Sequence, residues 1–517
     1  MTKLTGRLGL GLAMLVGSLC IFAWPIESHA EDGVRGGTLV AAFSADPGGF
    51  DPAQGPSGMS HVVIEQVYGT LLNLDADAKP YAGLAESWSQ SDDGLTWTFK
   101  LREGLEFHNG EALTAEDVVF TFERIMPEDS GYAYRGQIET IDEVVAVDNL
   151  TVEFRLNRVT GPFEIYMAFP GSSIVPKDLV ESGHDLNAEP IGAGPFKFVS
   201  YTPRDSVEFV RNDNYYEAGK PYFDAMTYRI VSDPTALANG LKSGEILFSN
   251  EVPPKDWSSI VSQSNMVDAA LEGSRYYWML PNHERGVLRD PLVRRAISYA
   301  LNREAIVRGA FFGQATAMQG GVIPGWNWAY AGITEFPPLG NIDKAKELMA
   351  EAGVAPGTPI SLMMVSSWPP MMSMAPIIQA NLSQIGFNAT IETMEVPRYW
   401  DEVWATSNFD LTVMYWLSPL ADPDDFVTNT YATTSAVNVQ KGGSAEMDQL
   451  MLDAKSAVTV EERKELYRQQ QELSLATMDV IPVVNGWVLT AHTDQLVNFK
   501  PMRTGFLKTL KDAWLTE

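Results

Sequence analysis

Leu84 to Arg124 reads LAESWSQSDDGLTWTFKLREGLEFHNGEALTAEDVVFTFER. Within it, Leu95-Thr96-Trp97-Thr98-Phe99-Lys100-Leu101 alternates apolar and polar side chains, the period-two pattern of a strand with one buried face. The strand runs into an Arg102-Glu103-Gly104 turn. A short strand and a tight His108-Asn109-Gly110 turn follow, and then a helix begins. Thr114-Ala115-Glu116-Asp117 resembles a capping box with Asp in place of the usual Glu. Val118, Val119 and Phe122 give the helix an apolar face. The unit reads as scaffold, and His108 is expected to hydrogen-bond within its own turn rather than to act chemically.

Similar signals lie on either side. Val152, Phe154 and Leu156 alternate like the strand before them. The second half is more helical: Pro291 to Arg308, Asp343 to Ala352, Pro376 to Ile385 and Glu461 to Thr477 carry apolar residues at helical spacing. Ile360 to Val365, Ala389 to Ile391, Leu411 to Tyr415 and Val480 to Val484 read as strands between them. Strand–helix alternation of this kind predicts an α/β protein. No period of 20–50 residues repeats.

The chain has 517 residues, 66 acidic against 37 basic, for a formal charge of −29. At roughly 100–200 residues per domain the length predicts two to four units. Aromatic residues make up 10%, enough to bury a large core. The acid excess argues against a nucleic-acid partner, whose phosphates need Lys and Arg. Lys3 and Arg7 precede an apolar run from Leu8 to Trp24, Pro25 breaks it, and Ser28-His29-Ala30 supplies small residues where a signal peptidase cuts. Residues 1–30 are therefore expected to be a secretory signal peptide cleaved after Ala30, with a membrane anchor as the alternative. Cys20, the only cysteine, lies in this run after Leu19, where a lipoprotein would need a small residue, so no lipidation is expected. The exported chain would carry no cysteine, which excludes disulfides and thiolate chemistry from it.

Catalytic patterns are missing. No two of the six histidines lie within five residues, so no helical pair can chelate a metal. No G-x-S-x-G elbow and no G-x-x-x-x-G-K-[ST] loop occur. Asp75-x-Asp77 and Asp422-x-Asp424 start like calcium loops but have Pro80 and Val427 at the sixth position, where glycine is needed. Neither enzyme activity nor a cofactor is expected.

The stretch Leu84 to Arg124 resembles, almost position by position, the signature of the periplasmic solute-binding proteins of peptide and nickel ABC transporters, solute-binding family 5. Gly36-Gly37-Thr38-Leu39, Asp46-Pro47-Gly48-Gly49-Phe50-Asp51-Pro52, Gly192-Ala193-Gly194-Pro195-Phe196, Asp290 to Ala296, Ala300 to Glu304 and Asp422-Pro423-Asp424-Asp425-Phe426 resemble further family segments. The resemblance spans residues 31–517. It implies a two-lobe periplasmic-binding-protein clamshell of type II-like α/β architecture, with an extra subdomain in the first lobe. Lobe I would comprise 31–69, 189–284 and 489–517, the subdomain 70–188, and lobe II 285–488. Hinges would lie near Pro281 to Arg289 and Trp487 to His492, closing around a ligand. The implied function is that of a monomeric, non-enzymatic periplasmic receptor. It would deliver an oligopeptide or peptide-like solute to ABC permease subunits in the inner membrane. Alternatives are a receptor for an oligosaccharide, an opine or another amino-acid conjugate, and a ligand-presenting signalling receptor.

Dipeptide-binding members share two anchors, an Asp after a Trp in W-x-G-D-x-x-D-P-D and an Arg at the start of a second-lobe helix. Here Pro419 stands where that Asp would be in Trp416 to Asp424, and Val365 to Met372 holds no Arg. A buried terminal charge needs a partner, so stacking on aromatic residues is expected to replace paired end charges. Candidate ligand contacts are Phe50, Arg275, Tyr277, Trp278, Asn282, Trp326, Trp368, Trp416, Pro419 and Asp422. Arg275 is the candidate carboxylate partner, and Arg135 a lesser one. Trp400 and Trp404, four residues apart on an expected helix, read as core.

Overall fold

The computed structural model describes residues 33–55 and 57–516. The expected signal peptide and its cleavage site lie outside them. Thr96–Leu101 is a strand that buries Trp97, Phe99 and Leu101. It pairs antiparallel with Ala85–Gln90 and Thr151–Leu156, so that Phe99 lies opposite Trp88 on one side and Val152 on the other. Ile141–Asp148 completes a four-stranded sheet. The helix Ala115–Ile125 packs on this sheet, with Phe122 edge-on to Phe154 at 4.8 Å between centroids. Its capping Asp has two tasks. One carboxylate oxygen of Asp117 accepts the Thr114 backbone N–H at 2.8 Å, and the other accepts the Lys177 N–H at 3.0 Å. The shorter side chain thus caps the helix and holds a segment sixty residues further on.

His108 departs from the sequence reading. Its Nε2 lies 3.0 Å from the Gly194 carbonyl oxygen, and its backbone N–H donates to the Gly192 carbonyl at 2.8 Å. The partner is therefore the Gly192-Ala193-Gly194-Pro195 turn, not its own. A side chain at Gly192 or Gly194 would collide with the backbone of Val67 and Gln66, which is why that turn uses glycine twice. Burial lowers the His108 pKa to about 4, so the ring bonds as a neutral imidazole.

Two larger sheets carry most of the other strands. The first has seven strands in the order Met266–Asp268, Ala491–Thr493, Phe248–Ser249, Thr38–Phe43, Ala225–Ile230, Ser206–Arg211 and Phe196–Thr202. The second has six, in the order Ala315–Ala317, Ile481–Val488, Leu271–Pro281, Leu411–Leu417, Thr358–Val365 and Phe387–Met394. Tyr276 to Leu280 is apolar without a break because this strand is buried on both faces. Tyr277 and Met279 point into one core with Ile297, Leu362 and Ile378, while Tyr276, Trp278 and Leu280 point into another with Phe426, Tyr399 and Tyr467. Leu271–Pro281 was expected in the first lobe. It lies instead in the centre of the second sheet, so the first crossing between sheets falls at Ala269-Ala270 and not at Pro281 to Arg289. The second crossing falls at Leu489-Thr490.

The helix expected from Pro291 to Arg308 is two helices, Pro291–Ala300 and Arg303–Phe311. Leu301 turns extended between them, and the Asn302 side chain caps the second by accepting the Ala305 N–H at 2.8 Å. Arg303 is fully buried and spends its guanidinium on the Ser298 and Pro482 carbonyls and the Ser298 hydroxyl. The helix expected from Pro376 begins at Pro369 and contains Pro376. Pro369 and Pro370 fit the first turn, where a backbone N–H has no helical acceptor to lose.

Candidate functional site

A cavity of about 620 Å³ opens between the two large sheets. Ser44, Met59, Val62, Leu237 and Glu251 line it from the first, and Arg275, Tyr277, Phe311, Leu417 and Gly486 from the second. Trp487, Val488 and Leu489 line it at the second crossing. A smaller cavity of about 310 Å³ adjoins it, sharing Gly58, Leu417 and Phe506. Its walls include Trp278, Trp368, Trp400, Trp404, Tyr415, Trp416 and His61.

Strand periodicity sorts side chains between these chambers. In Leu271–Pro281, Arg275 and Tyr277 share one face and reach the larger cavity, while Trp278 lies on the other and reaches the smaller. Tyr276 pairs with Trp416 and Trp278 with Met414 across the adjacent strand. The rings of Tyr276 and Trp278 stack at 4.7 Å.

Arg275 is the notable charge. It opens into the larger cavity, and its side chain is exposed there. Its guanidinium lies 5.4 Å from the centre of the Tyr415 ring. No ion pair engages it among the described residues. Glu251 lines the same cavity and accepts the Ser44 N–H at 2.7 Å, and its charge acts on Arg275 without forming a pair. An unpaired guanidinium in such a place can fork onto a carboxylate.

The candidates divide. Arg275 and Tyr277 meet at the larger cavity; Trp278, Trp368, Trp416 and Pro419 meet at the smaller. Four others lie elsewhere. Phe50 packs against Tyr201 and Phe198, with centroids at 5.2 and 5.3 Å. Asn282 follows the strand Leu271–Pro281 and donates to the Ser407 carbonyl at 2.7 Å. Trp326 donates to the Gly273 carbonyl at 3.0 Å beneath the Arg503 guanidinium. Asp422 caps the helix Pro423–Tyr431 and is locked to Arg463 at 2.7 Å. Arg135, the lesser candidate, bonds to the Met126 carbonyl.

Trp400 and Trp404, expected in the core, line the smaller cavity. Trp400–Ala405 forms a π-helical turn in which the Thr406 N–H bonds to the Asp401 carbonyl five residues back. The wider turn brings side chains four apart closer to eclipse, and the two indoles lie 4.9 Å apart. Sequence reading missed His61, Phe506 and Glu251. None carries a local signal, because each comes from an element whose own pattern is ordinary.

Residues 79–438 match the model of the bacterial extracellular solute-binding proteins, family 5. The chain belongs to this family. Di/tripeptide-binding protein 1 of Pseudomonas aeruginosa is 29% identical, over 92% of this chain and 91% of that protein. The solved structure of the periplasmic binding protein DppA from Helicobacter pylori, in complex with the peptide STSA, is 27% identical. It has a TM-score of 0.81 and covers 94% of this chain and 99% of that one. The structure of the binding protein AgaA from A. tumefaciens R10 with agropinic acid gives 0.80 at 27% identity, over 93% and 99%. The two-lobe fold is thus shared across the family, and these relatives are binding proteins. Among the described residues of this family 5 protein, no helix is long and apolar enough to cross a membrane.

Beside the smaller cavity Asp425 carries an unusual carboxyl. Burial pushes its pKa up to about 7; Ser418 and Trp416 oppose this, and the neighbouring Asp424 and Asp422 add to it. Its Oδ1 accepts from Asn429 at 2.9 Å, while Oδ2 is buried without a partner. Unfolded, the group would ionise near pH 4. Folding therefore takes up a proton between about pH 4 and 7, and this group's contribution falls as pH rises through that window. Its full cost, on the order of 2–4 kcal/mol, is reached above pH 7. Asp425→Asn should accordingly gain stability over the parent at pH 8 and gain little at pH 4.5. Urea unfolding at both pH values checks this, and an equal gain at both would place the pH dependence elsewhere.

Proposed function

We propose that this chain is exported by its N-terminal signal, captures a peptide-like solute between its lobes, and delivers it to an ABC permease without chemistry. The observation that carries the reading is Arg275, a guanidinium without an ion-pair partner inside the cleft cavity. It would take the solute's carboxylate. Glu251, across the same cavity, would face the amino group that Pro419 cannot receive. Closure would turn about the two crossings at Ala269-Ala270 and Leu489-Thr490. The named di/tripeptide-binding relative and the peptide-bound neighbour support the solute class.

A second reading, an amino-acid conjugate, is favoured by one observation. Pro419 lines the smaller cavity where a dipeptide receptor would offer a carboxylate, and a solute with a blocked amino group needs none. The neighbour with agropinic acid supports it. Native mass spectrometry of freshly purified protein separates the two by the mass of retained cargo. Calorimetric titration with di- and tripeptides should give one site per chain, and small-angle scattering a smaller radius of gyration on binding. Cargo of neither type and no heat with any peptide would overturn the reading.

A further inference from the structure

We infer that the smaller cavity is a subsite for an uncharged aromatic ring borne by the solute whose carboxylate reaches Arg275. This rests on the preceding reading that the cleft holds a peptide-like solute, and it specifies which one. None of the residues lining this chamber is Asp, Glu, Lys or Arg. Its single histidine, His61, is neutral near physiological pH, because burial lowers its pKa to about 4. Pro419 contributes an apolar ring to the wall. A charged side chain entering here would lose its water and meet no charged residue in the chamber wall.

The walls favour a ring. Trp368 stands edge-on to Tyr415 at 6.2 Å, and the Trp400–Trp404 pair presents a second aromatic surface. Offset and edge-to-face contacts of this kind suit another aromatic group. At about 310 Å³ the chamber is larger than a compact ammonium group fills, and unfilled space forfeits dispersion contacts. The shared boundary at Gly58, Leu417 and Phe506 lets one solute place its carboxylate in the larger chamber and its ring in the smaller.

The test is calorimetry with alanine di- and tripeptides in which one residue at a time is Trp, Tyr, Lys or Glu, and with choline. Trp- or Tyr-bearing peptides should bind roughly 10–100-fold tighter than the all-alanine peptide, and Lys- or Glu-bearing ones no tighter. Trp404→Ala should reduce that preference toward unity. Trp400→Ala, whose ring is 42% exposed and whose loss spares the core, should do the same. Peptides bound without ring preference, or a preference for Lys or choline, would overturn the subsite and leave the peptide reading standing. Binding of no peptide would overturn both.

Discussion

Asp422→Ala is expected to cost about 3–5 kcal/mol of folding stability and to leave solute recognition in the surviving folded protein nearly unchanged. Asp422 is 1% exposed, and its carboxylate faces Arg463 through both guanidinium nitrogens, at 2.7 and 3.2 Å. Its other duty is to accept the Asp424 N–H at 2.9 Å, capping the helix Pro423–Tyr431. Removing it leaves Arg463 buried, with only the Ala454 carbonyl and the Tyr467 hydroxyl to accept from it. The stranded cation accounts for most of the cost; the lost cap adds about 1 kcal/mol. Asp422→Leu combined with Arg463→Met should recover much of the loss, because an apolar pair removes the buried charge. Urea unfolding of the three proteins checks this. An unchanged midpoint with lost binding would return Asp422 to the ligand.

Arg275→Gln is expected to weaken binding of a carboxylate-bearing peptide by roughly 30–1000-fold, the range for one partner of a charge pair that closure over the solute desolvates. Stability should not fall, since the guanidinium has no ion-pair partner among the described residues when the cleft is empty. The peptide and its C-terminal amide separate the effects. The parent should favour the acid over the amide by a similar factor, and the variant should show little difference. Equal affinity of the parent for acid and amide would remove Arg275 from the carboxylate role and make Glu251 the first residue to examine.

Much of this molecule was legible in local pattern. Alternation located Thr96–Leu101 and Thr151–Leu156, and apolar runs located Thr358–Val365, Leu411–Leu417 and Ile481–Val488 to within a few residues, but not Leu271–Pro281 between the last two. Even the Asp of the capping box was readable. Periodicity reports that a face is apolar, however, and not what will cover it. Trp400 and Trp404 look alike in sequence whether they meet a core or an empty chamber, and a π-helical turn decided between these. Asp422 looks like a cleft acid until Arg463, forty-one residues later, is found against it. His108 found its acceptor in a turn eighty-six residues away, and Phe506 enters both cavities from the C-terminal segment. The sequence by itself determined the family and the strand and helix faces, because those depend on neighbours within a few residues. Which charges are spent and which remain open to a solute was decided only by the tertiary structure, because burial and pairing depend on segments the chain brings together from afar.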